Sequence, residues 1–364
     1  MIRTVKNRKW LAIPIAASLL MGTAAVLPVS GTVYAESAAS QTVLKMRTVQ
    51  MKWDGKLLSV PAGMTADNET FVALSFLSKQ LGLRTSWDAK TRIISVSGKN
   101  RTMKMKADDY YFWLNGNRIY GTPPVVLKGT TYLPLRFLLE QMGFAIGYDA
   151  KAKVISIQPI IENDLKLVGK LLEDASEFGE VTVQYPQLEG FADKAVQDKI
   201  NEVLKAEAEE YFQSGQELMV DYEGYAAEMG DEIPPMAFDV SYSVTYNEKN
   251  RLSLQYNIYE YSGGAHGMYD YQPHNFNLET GEEITLKEAA LGNENYIGII
   301  NEAVKKGIKE QDLYLLSPFE TIAPDQRFFI RGDSIVVFFG LYEYTPYAAG
   351  MPEFSIPFSR FAAQ

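Results

Sequence analysis

Two stretches of the chain carry the same order of apolar and polar positions. The segment TFVALSFLSKQLG, from Thr70 to Gly82, aligns with TYLPLRFLLEQMG, from Thr131 to Gly143, at a constant offset of 61 residues. The correspondence continues from Trp87, Asp88, Lys90, Ile94 and Ser95 to Tyr148, Asp149, Lys151, Ile155 and Ser156. The same offset carries Trp53–Lys56, with its Asp-Gly, onto Leu114–Asn117, with its Asn-Gly. Both dipeptides supply the positive φ angles of tight hairpin turns. Leu74, Leu77 and Leu81, matched by Leu135, Leu138 and Met142, fall at helical spacing on one face, and Gly82 and Gly143 suit left-handed helix ends. Each copy therefore predicts a hairpin, a short helix and two more strands, within residues 48–160. Asp88 and Asp149 read as turn residues.

The second half follows another plan. Residues 161–180 read as a partly helical connector, and residues 181–364 as a second domain. Val181 to Tyr185 alternates like a strand. Val196, Ile200, Val203, Leu204, Ala208, Tyr211 and Phe212 lie at helical spacing within Phe191–Phe212. Residues 214–236 read as acidic and irregular, with Pro234 and Pro235 blocking a helix. Val240, Tyr242, Val244 and Tyr246, then Leu252, Leu254, Tyr256 and Ile258, alternate on either side of a turn at Asn247–Asn250. That period predicts an antiparallel sheet with one buried and one wet face. Thr285–Glu288 fits a capping box, and Ile297, Ile300, Val304 and Ile308 form a second amphipathic helix. Phe328–Ile330 and Ile335–Phe339 flank Arg331–Ser334, so its Arg-Gly-Asp triplet reads as a hairpin turn, not an adhesion motif. The fold class expected is α+β: a duplicated hairpin–helix–two-strand module, then an α+β domain with an antiparallel sheet and two main amphipathic helices.

The N-terminus changes the picture from fold to compartment. Arg3, Lys6, Arg8 and Lys9 precede an apolar run from Leu11 to Pro28, and Val33-Tyr34-Ala35 fits a signal-peptidase site. Residues 1–35 therefore read as a Sec-type signal peptide cleaved after Ala35, with an uncleaved anchor as the alternative, and 36–47 as a short linker. The absence of cysteine closes the lipoprotein route and any disulfide framework. The formal charge of −10 becomes −14 once the four leader cations are removed. Such an acidic surface repels nucleic acid and polyanions and attracts cationic partners, although solubility alone also accounts for it.

Candidate chemistry is sparse. The chain has no Gly-x-Ser-x-Gly elbow, phosphate loop or His-Glu-x-x-His helix, and its two histidines, His266 and His274, make a poor metal site. His266 as a general base oriented by Glu260, Asp270 or Glu343 is the only enzymatic reading, and it lacks a nucleophile. No catalytic residue, metal or cofactor is expected. Two loops resist a packing explanation. One runs from Tyr261 through Gly263, Gly264, His266 and Gly267 towards Tyr269, Tyr271 and His274; the other carries Tyr342, Glu343, Tyr344, Pro346 and Tyr347 before Gly350. Glycine permits close backbone approach, and tyrosine offers a rigid face with a polar tip, so both are candidate binding loops.

These motifs carry two resemblances. The doublet described first is similar to the copper amine oxidase N-terminal domain family, over about residues 45–160. That resemblance implies a non-catalytic stalk; the oxidase's own copper site needs three histidines, which this chain does not have. GGAHG at Gly263–Gly267, FNLETGEEITL from Phe276 and YEYTPYAAG from Tyr342 resemble the RsiV-like extracellular domain, over about residues 181–364. That domain forms the outer part of a lysozyme-sensing anti-sigma-V factor and also accompanies peptidoglycan deacetylases. The apolar run begins at Leu11, leaving no room before it for a sigma-binding segment, and no deacetylase catalytic domain is expected. The resemblance implies a secreted or cell-wall-associated binder of lysozyme or another cationic muramidase. An accessory module for peptidoglycan or a small envelope ligand is the alternative, and a pure spacer a third.

Overall fold

The computed structural model describes residues 43–66, 68–99, 101–107, 109–229 and 233–362. The expected leader and cleavage site, residues 1–35, lie outside the described residues. Among the described residues, no helix is long and apolar enough to cross a membrane.

The two copies of the repeat interlock. The first contributes β1 (Lys45–Trp53), β2 (Lys56–Met64), β3 (Thr70–Ala73), α1 (Leu74–Leu81), β4 (Arg84–Asp88) and β5 (Ile93–Gly98). Then follow β6 (Arg101–Lys106), β7 (Tyr111–Leu114), β8 (Asn117–Tyr120), β9 (Val125–Leu127), β10 (Thr130–Pro134), α2 (Leu135–Gln141), β11 (Phe144–Asp149) and β12 (Val154–Pro159). One sheet has the order β11-β12-β1-β2-β3-β10-β9, the other β4-β5-β6-β7-β8. The closing hairpin of each copy thus joins the sheet opened by the other. Phe71, Leu77, Leu133 and Leu138 are all fully buried, and both copies share one apolar cluster, so neither can bury its apolar face alone. Asp54 and Gly55, and Asn115 and Gly116, take the positive φ angles of their turns. The Oδ1 atoms of Asp88 and Asp149 accept backbone N–H bonds two and three residues ahead, the turn role expected of them.

The second region opens earlier than the sequence pattern implied. Residues 166–176 are not a partly helical connector but a strand, β13 (Lys166–Ser176), paired along its length with β14 (Gly179–Glu189). Its apolar residues are spread among charges, which hid a solvent-exposed edge strand. Next comes α3 (Lys194–Met229), which continues through residues expected to be irregular. The acidic character of that stretch marks the helix's solvated side, and Gln, Glu, Leu, Met and Ala all favour helix. Gly215 allows the close approach: a Cβ there would sit 2.6 Å from Val181 Cγ1 and 2.8 Å from Phe238 Cδ1. Asp193 caps the start, accepting from the N–H groups of Ala195 and Val196 at 3.0 and 3.1 Å.

The sheet is completed by β15 (Met236–Glu248), β16 (Arg251–Tyr261) and β17 (Met268–Asn277), in the order β13-β14-β15-β16-β17. Lys249 and Asn250 turn the β15–β16 hairpin with φ of 53° and 56°. Val240, Tyr242, Leu252, Leu254 and Tyr256 are buried in one apolar cluster with α3 residues such as Ile200 and Leu204. The opposite face, expected to be wet, is not: Ser241, Ser253, Gln255 and Asn275 are buried too. The final segment comprises α4 (Leu286–Ala289), α5 (Tyr296–Glu310), β18 (Phe328–Arg331), β19 (Ser334–Phe338) and β20 (Glu353–Pro357), and its three-stranded sheet covers part of that face through β18. Ile330 N donates to Ser253 Oγ at 3.0 Å, and Asn275 Nδ2 donates to Phe328 O at 2.9 Å. Hydrogen bonds that run between sheets thus satisfy Ser253 and Asn275 on this polar face. The Thr285 capping box and the Gly-Asp turn between β18 and β19 are present as expected.

Residues 42–364 form one compact unit, and a polar contact joins its two halves. Arg118 of β8 forms an ion pair with Asp239 of β15, and Tyr120 donates to Asp239 Oδ2 at 2.7 Å. Burial, then the Asp239 charge, holds the Tyr120 phenol far above its ordinary pKa. Asn117 Nδ2 donates to Tyr242 OH at 2.6 Å and Arg118 N to Gln184 Oε1 at 2.9 Å. Beyond β12, Asn163 Nδ2 ties the chain to Asn247 Oδ1 and Arg251 O, both at 2.9 Å. Removing Arg118 alone strands a buried carboxylate, so Arg118→Met should destabilise the chain by about 2 kcal/mol, and Arg118→Met with Asp239→Leu by less. Urea unfolding of the two variants against the parent measures both.

His274 does not belong to the glycine loop. It lies on β17, 3% exposed, with Nδ1 2.6 Å from Glu283 Oε1 and Nε2 2.7 Å from Glu207 Oε2. Burial works against its charge, but the two carboxylates outweigh burial and raise its pKa from 6.5 to about 9. A raised folded-state pKa gives stability that is fully present below 6.5 and is lost as pH rises through about 9. The urea midpoint should therefore fall across that window, and His274→Gln should flatten the fall.

Candidate binding surface

The two loops meet in space. The first joins β16 to β17, and the second leaves β19 and returns to β20. The imidazole of His266 stacks on the ring of Tyr347, with centroids 3.7 Å apart and planes 20° from parallel. Tyr347 OH donates to Gly267 O at 2.8 Å, and Tyr342 OH lies 3.5 Å from His266 Nε2. Tyr342 and Tyr269 each place a ring 6.0 Å from that of Tyr347. Burial raises the pKa of Tyr347 and Tyr269, and neighbouring phenols add to the shift, so their hydroxyls stay neutral donors.

The glycines serve the two ends of the first loop differently. Gly267 leaves room for a ring: a Cβ there would lie 2.5 Å from Tyr259. Gly263 and Gly264 have φ of 95° and 96°, which turn the loop tip past Tyr222 of α3. Tyr342 is itself a positive-φ residue, at 61°, which turns its exposed ring outward from the end of the strand region. Pro346, half-buried, fixes the entry into the short helical turn Tyr347–Ala349.

Two members of the second loop play other parts. The Tyr344 ring turns inward and packs 4.5 Å from Phe339 and 5.6 Å from Phe319, against the C-terminal apolar cluster. The turn at residues 341–345, with Tyr342 at positive φ, sends Tyr342 out and Tyr344 in, a distinction that composition does not carry. The Glu343 carboxylate accepts from Gly340 N at 2.8 Å and so closes the turn that carries Tyr342. The sequence reading missed Arg327, which donates to Asp270 Oδ2 at 2.7 Å and Tyr271 O at 2.6 Å and lies over Phe338 at 5.0 Å. It braces β17 beneath the stacked pair. Tyr259 and Tyr222 were missed as well, because each lies in a regular element.

What the surface offers is a set of rings with polar tips on a rigid base. Among the described residues, no group of three or more His, Asp or Glu side chains is placed to hold a metal ion. Tyr344→Ala should cost about 3 kcal/mol, as loss of a packed ring does, whereas Tyr342→Ala should leave stability nearly unchanged. Thermal melts of both variants separate the inward ring from the outward one.

Comparison with known proteins places these elements. Residues 52–157 match the family Copper amine oxidase N-terminal domain, residues 172–269 the family Deacetylase PdaC, and residues 289–359 a family described as Protein of unknown function (DUF3298). The PdaC match starts inside β13, and the His266 loop lies within it, whereas the Tyr342 loop lies within the DUF3298 match. The anti-sigma-V factor RsiV of Bacillus subtilis (strain 168) is 26% identical over 221 residues, covering 57% of this chain and 73% of that protein. A DUF3298-family structure from Bacteroides fragilis NCTC 9343 is 17% identical, covering 54% of this chain and 92% of its own, with a TM-score of 0.44. Another from Pseudomonas aeruginosa PAO1 is 15% identical, covering 55% and 93%, with a TM-score of 0.35.

Proposed function

We propose that this chain, which joins a copper amine oxidase N-terminal domain to an RsiV-like region built of PdaC and DUF3298 segments, is an exported, non-enzymatic binding protein of the cell envelope. Its partner in this reading is lysozyme or another cationic muramidase, taken through the RsiV-like region. The observation that carries the reading is the convergence of the His266 and Tyr342 loops, from two separately matched segments, onto one ring cluster.

Three features support a protein partner. Tyrosines held by stacking and hydrogen bonds lose little entropy on docking, and tyrosine is a common hot-spot residue. Pro346 keeps the second loop in shape. The chain's net charge of −10 favours encounter with a basic protein, an effect that acts on association rate and weakens with salt. The export part of the reading draws on the cationic and apolar N-terminal pattern, and the wall location on the RsiV likeness. Deacetylase chemistry belongs to the relatives that carry the name, and the non-enzymatic reading here rests on the sparse candidate chemistry of the sequence.

Pro346→Ala combined with Tyr347→Ala should weaken lysozyme binding about tens-fold with little change in melting temperature. Calorimetric titration with lysozyme at low and high salt tests it, and affinity should drop as salt rises. An unchanged affinity in the folded double variant moves the contact elsewhere. No binding by the parent at low salt removes lysozyme as the partner.

A further inference from the structure

The ring cluster does not end at the second region. Period two along the β7–β8 hairpin sends Phe112 and Ile119 into the core, 0% and 2% exposed. Tyr111, Trp113, Arg118 and Tyr120 share its outer face, in the cross-strand pairs Tyr111↔Tyr120 and Trp113↔Arg118. Arg118 and Tyr120 reach Asp239, and Asp239 stands directly across from Tyr259, which stands across from Tyr269. Directly opposed residues point to the same side of a sheet. One surface therefore runs from Trp113 and Tyr111 over the domain contact to Tyr259, Tyr269 and Tyr347, ending at Tyr342. Ring spacing is 6.4 Å from Trp113 to Tyr111 and 6.0 Å from Tyr347 to Tyr342.

The electrostatics of this strip differ from those of the molecule as a whole. Arg118 is engaged by Asp239, Asp270 by Arg327, and Glu343 by the Gly340 amide. The rings at its two ends, Trp113 and Tyr342, are exposed, and those of Tyr111, Tyr259, Tyr269 and Tyr347 between them are half-buried, with Arg118 over one face of Tyr111 and His266 over one face of Tyr347. A row of ring faces fits the apolar faces of successive pyranose rings, and phenolic hydroxyls fit sugar hydroxyls. Cations stand only at the Trp113 end, where Lys104 lies directly across from Trp113 and Lys106 follows on the same face of β6, and the rest of the strip offers neither a row of cations nor a row of carboxylates.

We propose that the strip from Trp113 through Tyr111, Tyr259 and Tyr347 to Tyr342 binds an uncharged oligosaccharide laid across both domains. The first domain is then half of the binding surface, and the Arg118–Asp239 contact fixes the two halves in register. The proposal does not rest on the muramidase reading, and Trp113 lies outside the loops assigned to the protein partner.

The test is calorimetric titration of the purified chain with chitohexaose, with N-acetylglucosamine as the short control. The hexasaccharide should bind equally at low and high salt, because no ion pair forms, and much more tightly than the single sugar. Trp113→Ala should weaken it about tenfold, whereas Trp113→Phe, which keeps a ring face, should stay close to the parent. Failure of the parent to bind chitohexaose overturns the proposal, as does a folded Trp113→Ala variant that binds it like the parent. Lysozyme is titrated in separate runs against the same proteins, where Trp113→Ala should behave as the parent, so the two readings stand or fall separately.

Discussion

The face of the β15–β16–β17 sheet turned away from α3 is polar, yet Asp239, Ser241, Ser253, Gln255 and Asn275 on it are buried, and the hydrogen bonds taken by Asp239, Ser253 and Asn275 tie the rest of the molecule to it. A buried hydroxyl, amide or carboxylate without a partner costs a few kcal/mol, so whatever covers this face has to bring donors and acceptors to it. The C-terminal sheet brings the backbone of Phe328 and Ile330 to Asn275 and Ser253. The first domain brings Arg118 and Tyr120 to Asp239. Ring residues occupy the stretch of the same face beside Asp239, through Tyr259 and Tyr269. The two dockings and the aromatic strip are thus three consequences of one sheet face that alternation alone marks as solvent-exposed.

The interlocked repeat shows how a binding region gains a rigid base. Each copy supplies a hairpin to one sheet and takes strands from the other, so β7 and β8 cannot move without the shared core. A hairpin held in that way fixes Trp113 and Tyr111 as firmly as the second region fixes Tyr347. Preorganisation of this kind lowers the ordering cost of docking. An added domain with this architecture can therefore extend a binding surface as well as act as a spacer.

Local patterns were legible where one residue type has one structural use. Asp54-Gly55, Asn115-Gly116, Gly82, Thr285 and the Gly332-Asp333 turn all read correctly, because positive φ and capping are decided within a few residues. Residues 166–176 and 214–229 did not, because their assignment depends on tertiary partners: β13 is a strand by pairing with β14, and the later part of α3 is a helix that packs on Val181 and Phe238 at Gly215. The wet face expected for β16 failed for the same reason. Ser253 and Gln255 look solvated in sequence and are covered by a sheet contributed far along the chain. In the candidate surface, composition found both loops, with Tyr269 beside the first, but could not tell Tyr342 from Tyr344, and it passed over Tyr259 and Trp113 as ordinary strand residues.

The position of the stacked His266–Tyr347 pair links these levels. Gly267 has to lack a side chain so that Tyr259 can lie against the loop, and the Gly267 carbonyl then anchors Tyr347. Tyr347 in turn carries the imidazole and lies within ring contact of Tyr342 and Tyr269. A Cβ at Gly267 would push on Tyr259, which stands opposite Asp239 and therefore beside the contact with the first domain. The loop conformation, the ring cluster and the domain contact are consequently coupled through a single backbone position. The conformational freedom of that glycine does not explain its place in the loop; the space it leaves for a ring from the neighbouring strand does.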